Sequence, residues 1–240
     1  MYGAATGALL PRAVYRLAVA PDEPWRRTCP TGHPLAPGAR GVLGPARCAE
    51  CAGREGLPGA YGSGGAAFAA AGALVCAGLA ASVGARPELA VWLLLVPCAL
   101  LLAAVDRRVQ RLPDLLTLPL AGGTAALLGL AALLPGAGGS WTRALLGGVV
   151  LAGSFLVLFL INPRGMGFGD VKLALPLGVA LGWYGWGVLF AGAFLGFLSG
   201  AVYGVALILG RRAGRSSEMA FGPFMVLGAL GGVALGGLAA

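Results

Sequence analysis

The sequence predicts an all-α fold: a polytopic membrane bundle of about seven transmembrane helices with a small N-terminal cytoplasmic segment. Three observations predict it. Only 11% of the 240 residues are charged and 58% are hydrophobic, where a soluble domain carries about a quarter charged residues. From residue 63 to the end, apolar runs recur at or near the roughly 20 residues that a helix needs to cross a bilayer. Glycine and alanine fill those runs, as close helix contacts in lipid require. The net charge of +8 does not read as nucleic-acid recognition, because the basic residues are dispersed and no basic, aromatic-interleaved module is present.

Taken in order, residues 1–20 hold a short apolar patch, Tyr2 to Leu10, followed by Pro11, Arg12 and Arg16. The patch is too short to span and lacks the charged start and cleavage site of a signal peptide. Residues 21–62 are polar and rich in Pro, Gly and Arg, and they hold Cys29, His33, Cys48 and Cys51. The chain therefore divides into a segment over 1–62 and a transmembrane domain over 63–240. Spans are expected at Ser63–Val83, Glu88–Val105, Leu118–Leu134, Arg143–Ile161, Val171–Trp183, Gly187–Leu209 and Ala220–Ala240. The fifth is short. Pro97 and Pro176 are tolerated inside spans because neighbouring helices satisfy the freed backbone groups.

Loop charge sets the orientation. Arg107, Arg108, Arg111, Arg164, Lys172, Arg211, Arg212 and Arg215 share one side with Arg12, Arg16, Arg26, Arg27, Arg40, Arg47 and Arg54 of the N-terminal segment; Arg86 and Arg143 stand alone on the other. The first side is the cytoplasmic one. Trp183, Tyr184 and Trp186 then fall at the outer interface, where aromatic belts form. The odd count of five cysteines, two of them (Cys76 and Cys98) in apolar runs, is not a secreted disulfide framework.

Beyond residue 62 the acidic residues are Glu88, Asp106, Asp114, Asp170 and Glu218. Glu88 and Glu218 read as solvated loop charges. The other three lie at cytoplasmic span ends, where an ionisable group is a functional candidate. Asp106 ends the second span, so its charge opposes the helix dipole and capping does not account for it; an ion pair with Arg107 or Arg108 could. Asp114, after Pro113, fits an N-cap, and so does Asp170 in the run Gly165-Met166-Gly167-Phe168-Gly169-Asp170-Val171-Lys172. Asp106 and Asp170 are expected at a similar membrane depth. Two carboxyls in a partly desolvated site do not ionise together, and such a pair can activate water against a peptide carbonyl and protonate the leaving amine. No Ser–His–Asp set or intramembrane HExxH site competes, since His33 is the only histidine.

These residues resemble the type IV prepilin leader peptidases, aspartic proteases of the GxGD class. Gly167-Phe168-Gly169-Asp170-Val171-Lys172 matches the GxGDxK motif, and the run Asp106 to Leu120, with Pro113-Asp114 and Leu116-Thr117-Leu118-Pro119, looks like the first aspartate segment. Phe221-Gly222-Pro223-Phe224 is similar to a late Phe-Gly-Pro element. The resemblance implies that Asp106 and Asp170 are the catalytic pair, with Gly167, Gly169, Lys172 and Asp114 as supporting motif residues. It also implies cleavage of the basic leader of prepilin or pseudopilin proteins at the cytoplasmic face of the bacterial inner membrane, commonly after a glycine.

In the N-terminal segment, Gly7-Ala8-Leu9-Leu10 and Tyr15-Arg16-Leu17 resemble a shortened form of the family's opening run. Cys48-Ala49-Glu50-Cys51 is one intact Cys-x-x-Cys pair of the two many members carry, and Cys29 keeps half of the other. His33 in place of the lost cysteine would complete a Cys3His zinc site; the alternative is reduced thiols beside a surface histidine. Members that also N-methylate use S-adenosylmethionine and the N-terminal region; its shortening, and the lack of an Arg-Tyr-Pro…Glu element after Cys51, count against both here. A competing reading is a small transporter or channel binding cations or protons at Asp106 and Asp170; such proteins more often show an internal repeat, and none is found. A third is an assembly factor that binds pilin-like helices without cutting them.

Overall fold

The computed structural model describes residues 1–20, 23–53, 59–62, 64–110, 112–163, 165–210 and 219–240. Several residues used above, namely Arg54, Ser63, Arg111, Arg164, Arg211, Arg212, Arg215 and Glu218, lie outside the described residues. The described chain is all-α apart from two isolated β-bridges. Its contacts group it into two units, Met1–Cys76 and Ala77–Ala240.

The first unit holds α1 (Tyr2–Ala8), α2 (Leu10–Leu17), the four-residue helices α3 (Ala39–Val42) and α4 (Ala49–Ala52), and the first part of α5 (Gly65–Val83). The apolar patch of the sequence is thus helical. Gly3 and Gly7 let α1 lie backbone to backbone on α5, because a Cβ on Gly3 would fall 2.1 Å from the Gly72 carbonyl and one on Gly7 2.2 Å from that of Phe68. The rest of the unit folds around Cys29, Ala46, Cys51 and Tyr61, with Tyr15, Leu35 and Cys48 packed on them. Tyr15 and Tyr61 meet edge to face at 4.6 Å, and Arg26 covers the Tyr15 ring at 4.8 Å. The bridges Thr28↔Pro34 and Arg47↔Ala60 bring the two cysteine-bearing stretches into order.

The second unit holds α6 (Pro87–Val109), α7 (Asp114–Ala131), α8 (Trp141–Ile161), α9 (Phe168–Tyr184), α10 (Trp186–Leu209) and α11 (Gly222–Ala239). Including α5, six helices among the described residues are long and apolar enough to cross a membrane. This is a multi-pass membrane protein. The remaining long helix, α9, covers the expected short fifth span with 17 residues. It is the core of its unit, packed by α7, α8, α10 and α11. Close approach explains the glycine usage. On α8 and α9, a Cβ on Gly178 would meet the Gly147 carbonyl at 2.5 Å, and one on Gly182 the Arg143 carbonyl at 2.6 Å. On α10 and α11, a Cβ on Gly228 would meet the Gly192 carbonyl at 2.4 Å. These are small-xxx-small contacts, which let backbones touch where lipid supplies no hydrophobic drive.

Three expectations change. Glu88 is not a solvated loop charge but lies in the first turn of α6 at 0% exposure. Trp183 is not part of an interfacial belt, since it is fully buried under Gly139; Trp186 is exposed. Asp114 does not cap α7: Pro113 takes that position, its carbonyl accepting from the Leu116 and Thr117 N–H groups.

Candidate active site

Asp106 lies in the last turn of α6. The helix ends at Gln110, which adopts a left-handed conformation (φ 49°) and donates its N–H to the Asp106 carbonyl at 2.7 Å. The side chain points inward and is 4% exposed. Its Oδ2 accepts the backbone N–H of Gly222 at 2.9 Å, the first residue of α11. The free N–H groups of a helix start and the positive end of its dipole suit a carboxylate. Only glycine permits the approach, because a Cβ on residue 222 would sit 2.6 Å from that same oxygen.

Asp170 arrives from α9. Gly167 holds the N-cap position and its carbonyl accepts the Asp170 N–H at 3.0 Å. Asp170 is thus a residue of the first turn rather than the cap, and at 7% exposure its side chain turns into the protein. The Asp106 and Asp170 carboxyl groups lie within Coulombic range of one another. Gly169 packs on Leu112, where a Cβ would come within 3.3 Å of the leucine Cβ, so the glycine seats α9 against the chain leaving α6. Gly167 sits beside the carboxyl itself, 3.7 Å from its ideal Cβ position to Asp170 Oδ2.

The structure therefore gathers Asp106 and Asp170 and leaves Asp114 and Lys172 aside. Those two pair with each other, Lys172 Nζ to Asp114 Oδ1 at 2.5 Å, with Nζ also 4.9 Å above the Phe168 ring. The pair ties the start of α7 to the first turn of α9 at the surface. Sequence reasoning gave Gly222 no role, although its Phe-Gly-Pro-Phe element was the signal that could have found it. Phe221 and Phe224 of that element make tilted ring contacts with Phe155, Phe197 and Tyr203 at 5.1–6.2 Å, anchoring the start of α11.

The other predicted cluster also converges. Cys29, His33, Cys48 and Cys51 place their ligand atoms within 4.8 Å of one another. The turn that does this needs Gly32 at φ +93°, which lets the Cys29 N–H bond the His33 carbonyl at 2.8 Å. Measured edges are 3.8 Å between the sulfurs of Cys29 and Cys51, 3.6 Å from Cys29 and 3.7 Å from Cys48 to His33 Nδ1, and 3.2 Å from Cys51 to the same nitrogen. Tetrahedral zinc, with bonds of about 2.3 Å to sulfur and 2.0–2.1 Å to nitrogen, needs edges of roughly 3.5–3.8 Å. The donor set fits, and it could bind a metal ion. Nδ1 faces the cluster while Nε2 lies 3.3 Å from Glu50 Oε2, the outer carboxylate that orients a ligating histidine. Burial raises the Cys29 thiol, but hydrogen bonds with Thr31 and His33 outweigh it and bring it down to about 6. At Cys51 the Thr31 bond lowers the thiol, but burial and the neighbouring Cys48 and Cys29 sulfurs outweigh that and raise it. Two sulfurs this close resist a second negative charge, and a cation between them would relieve it.

The type IV leader peptidase family matches residues 93–209, which include Asp106, Asp114 and Gly167 to Lys172. The prepilin leader peptidase/N-methyltransferase of Aeromonas salmonicida is 35% identical over 136 residues, covering 56% of this chain and 45% of that protein. The protein of that name from Pseudomonas aeruginosa is 36% identical over 140 residues, covering 56% and 46%, and that from Pseudomonas putida 33% over 149, covering 60% and 49%. The chain thus spans about half the length of the curated relatives it matches. No solved structure matches it. Residues 93–209, which carry both buried aspartates, are thus similar to the type IV leader peptidase family.

Proposed function

We propose that this protein is an aspartic endopeptidase that removes the short basic leader of type IV prepilin or pseudopilin proteins, with Asp106 and Asp170 as the catalytic pair. The observation that carries the reading is that two buried carboxyls from helices far apart in sequence lie within electrostatic range of one another at one end of an apolar bundle. The names of the relatives, and the family match across both aspartates, support the same chemistry. In this reading one carboxylate takes a proton from water as its oxygen attacks the scissile carbonyl. The partner carboxyl supplies a proton to the substrate, and the peptide C–N bond breaks to release the leader acid and a new amino terminus. Gly222 holds Asp106 in one orientation throughout, so the pair is preorganised rather than assembled by substrate.

The excess of arginine on one set of loops supports a site facing the cytoplasm across the bacterial inner membrane. A prepilin would enter laterally from the lipid with its basic leader on that side. Residues 1–62 serve in this reading as a cytoplasmic segment held by a structural zinc at Cys29, His33, Cys48 and Cys51, and residues 63–240 as the peptidase domain.

The test is co-expression with a prepilin in a bacterial membrane. The protein is expected to shorten the prepilin by its leader, and Asp106→Asn and Asp170→Asn to abolish cleavage at unchanged membrane abundance. Cleavage by either variant overturns the catalytic pair. Binding of pilin helices without cleavage by the wild-type chain would favour an assembly factor.

A further inference from the structure

The three helices that form the aspartate site meet again at its far side, with the same spacing on each. Trp92 lies fourteen residues from Asp106 on α6, Tyr184 fourteen from Asp170 on α9, and Gly236 fourteen from Gly222 on α11. At 1.5 Å and 100° per residue, that interval is about 21 Å and falls within about 40° of four whole turns. Residues that face each other at one end therefore face each other at the other.

At that second meeting point Trp92 Nε1 donates to the Tyr184 hydroxyl at 3.0 Å. The Tyr184 ring lies on the bare backbone of α11, where a Cβ on Gly236 would come within 2.5 Å of it. Arg86, just before α6, donates to the Gly237 carbonyl at 2.8 Å. Glu88, fully buried, accepts the Gly138 N–H at 3.0 Å. The cleavage chemistry uses none of these groups.

What lies between the two ends gives this cluster its importance. The backbones of α6 and α9 do not pack on each other; α7 and α11 pack against both. A half-open apolar pocket of about 60 Å³ lies between them, lined by Trp92 and Val96 of α6, Thr124 of α7, Pro176 and Ala180 of α9, and Val226 of α11. Atoms facing the pocket lack dispersion partners on that side, so little direct contact fixes the α6–α9 separation at mid-height. A direct link between the two helices at their ends adds to what α7 and α11 supply.

We infer that Trp92 and Tyr184 form a latch that sets the separation of α6 and α9, and through it the placement of Asp106 against Asp170. They are positioning residues, and the role rests on the peptidase reading above. A shift of about 1 Å at reacting groups can cost about a hundredfold in rate, so a hydrogen bond about 21 Å along each helix is expected to register in turnover.

Two readouts on the purified full chain test this. In prepilin cleavage, Tyr184→Phe, which removes one oxygen, and Trp92→Phe are each expected to lower kcat about tenfold with KM within about twofold, and the double variant to fall no further than the worse single one. The second readout needs no activity: in an Asp106→Cys/Asp170→Cys chain, copper-phenanthroline oxidation is expected to cross-link the two positions, several-fold more slowly when Tyr184→Phe is added. A wild-type chain that does not cleave, with cross-linking still slowed, defeats the peptidase reading and keeps the latch. A cleaving wild type with kcat and cross-linking both unmoved by Tyr184→Phe overturns the latch. So does a loss that disappears at a temperature where the variant is fully folded, because the role is then only structural.

Discussion

The cysteine–histidine cluster and the aspartate site both gather like groups, and they manage the resulting charge in opposite ways. The cluster draws its residues from within 23 positions of one another, Cys29 to Cys51, and folds them together with a glycine turn and two β-bridges. Its thiols are driven apart in acidity, and a cation is the natural relief for such a set. The aspartate site draws on residues 106, 170 and 222, on three helices. There a backbone N–H at a helix start faces one carboxylate, at a distance only glycine allows. One site has a donor set that could bind a metal ion; in the proposed reading the other holds two carboxyls for proton transfer. Local chain geometry is enough for the first, whereas the second requires the whole bundle.

That contrast can be broken first at the aspartates. Asp106→Asn and Asp170→Asn are expected to remove prepilin cleavage by at least about a thousandfold, read by leader loss on a gel, with zinc content unchanged. Gly222→Ala comes next: the added methyl meets the Asp106 carboxylate head on, so kcat is expected to fall by about a hundredfold while the protein still inserts. On the other side of the comparison, about one zinc per chain is expected by elemental analysis, and Cys48→Ser should lower it below half with the bundle still assembled. Glu50→Gln sharpens the same point, with zinc affinity weakened about tenfold in a chelator competition, since the histidine loses its outer carboxylate. The smallest effect belongs to the exposed Lys172–Asp114 pair. Asp114→Asn should change stability by less than about 1 kcal/mol and leave cleavage measurable, because a surface ion pair is screened by solvent.

Much of this was written in the chain. Approximate span limits follow from runs of apolar residues, because a bilayer imposes a length on any helix that crosses it. The structure starts α7 at Asp114 rather than Leu118, since Pro113 is a ready helix start that hydropathy does not register. Asp106 and Asp170 stood out because charge is scarce in these runs, and the GxGD motif named the second. Glu88 was misjudged for the same reason that made the aspartates visible. Its position beside Arg86 and Pro87 at a span end looks solvated in sequence, and only the loop carrying Gly138 buries it. Trp183 and Tyr184 likewise read as an interfacial belt in sequence, although the first is core and the second a hydrogen-bond partner of Trp92.

By itself, the sequence determined the class of the protein, the two acidic side chains available for chemistry and the four residues that could hold a metal. These are properties of composition and short-range spacing, and a chain carries them before it folds. The tertiary structure alone decided that Gly222 serves Asp106, that Lys172 turns to Asp114, and that α6, α9 and α11 are joined at both ends around an unfilled centre. Each of those depends on which helix faces are brought together, and apolar helices with little periodic contrast leave that choice to backbone packing at glycine and to a few buried hydrogen bonds.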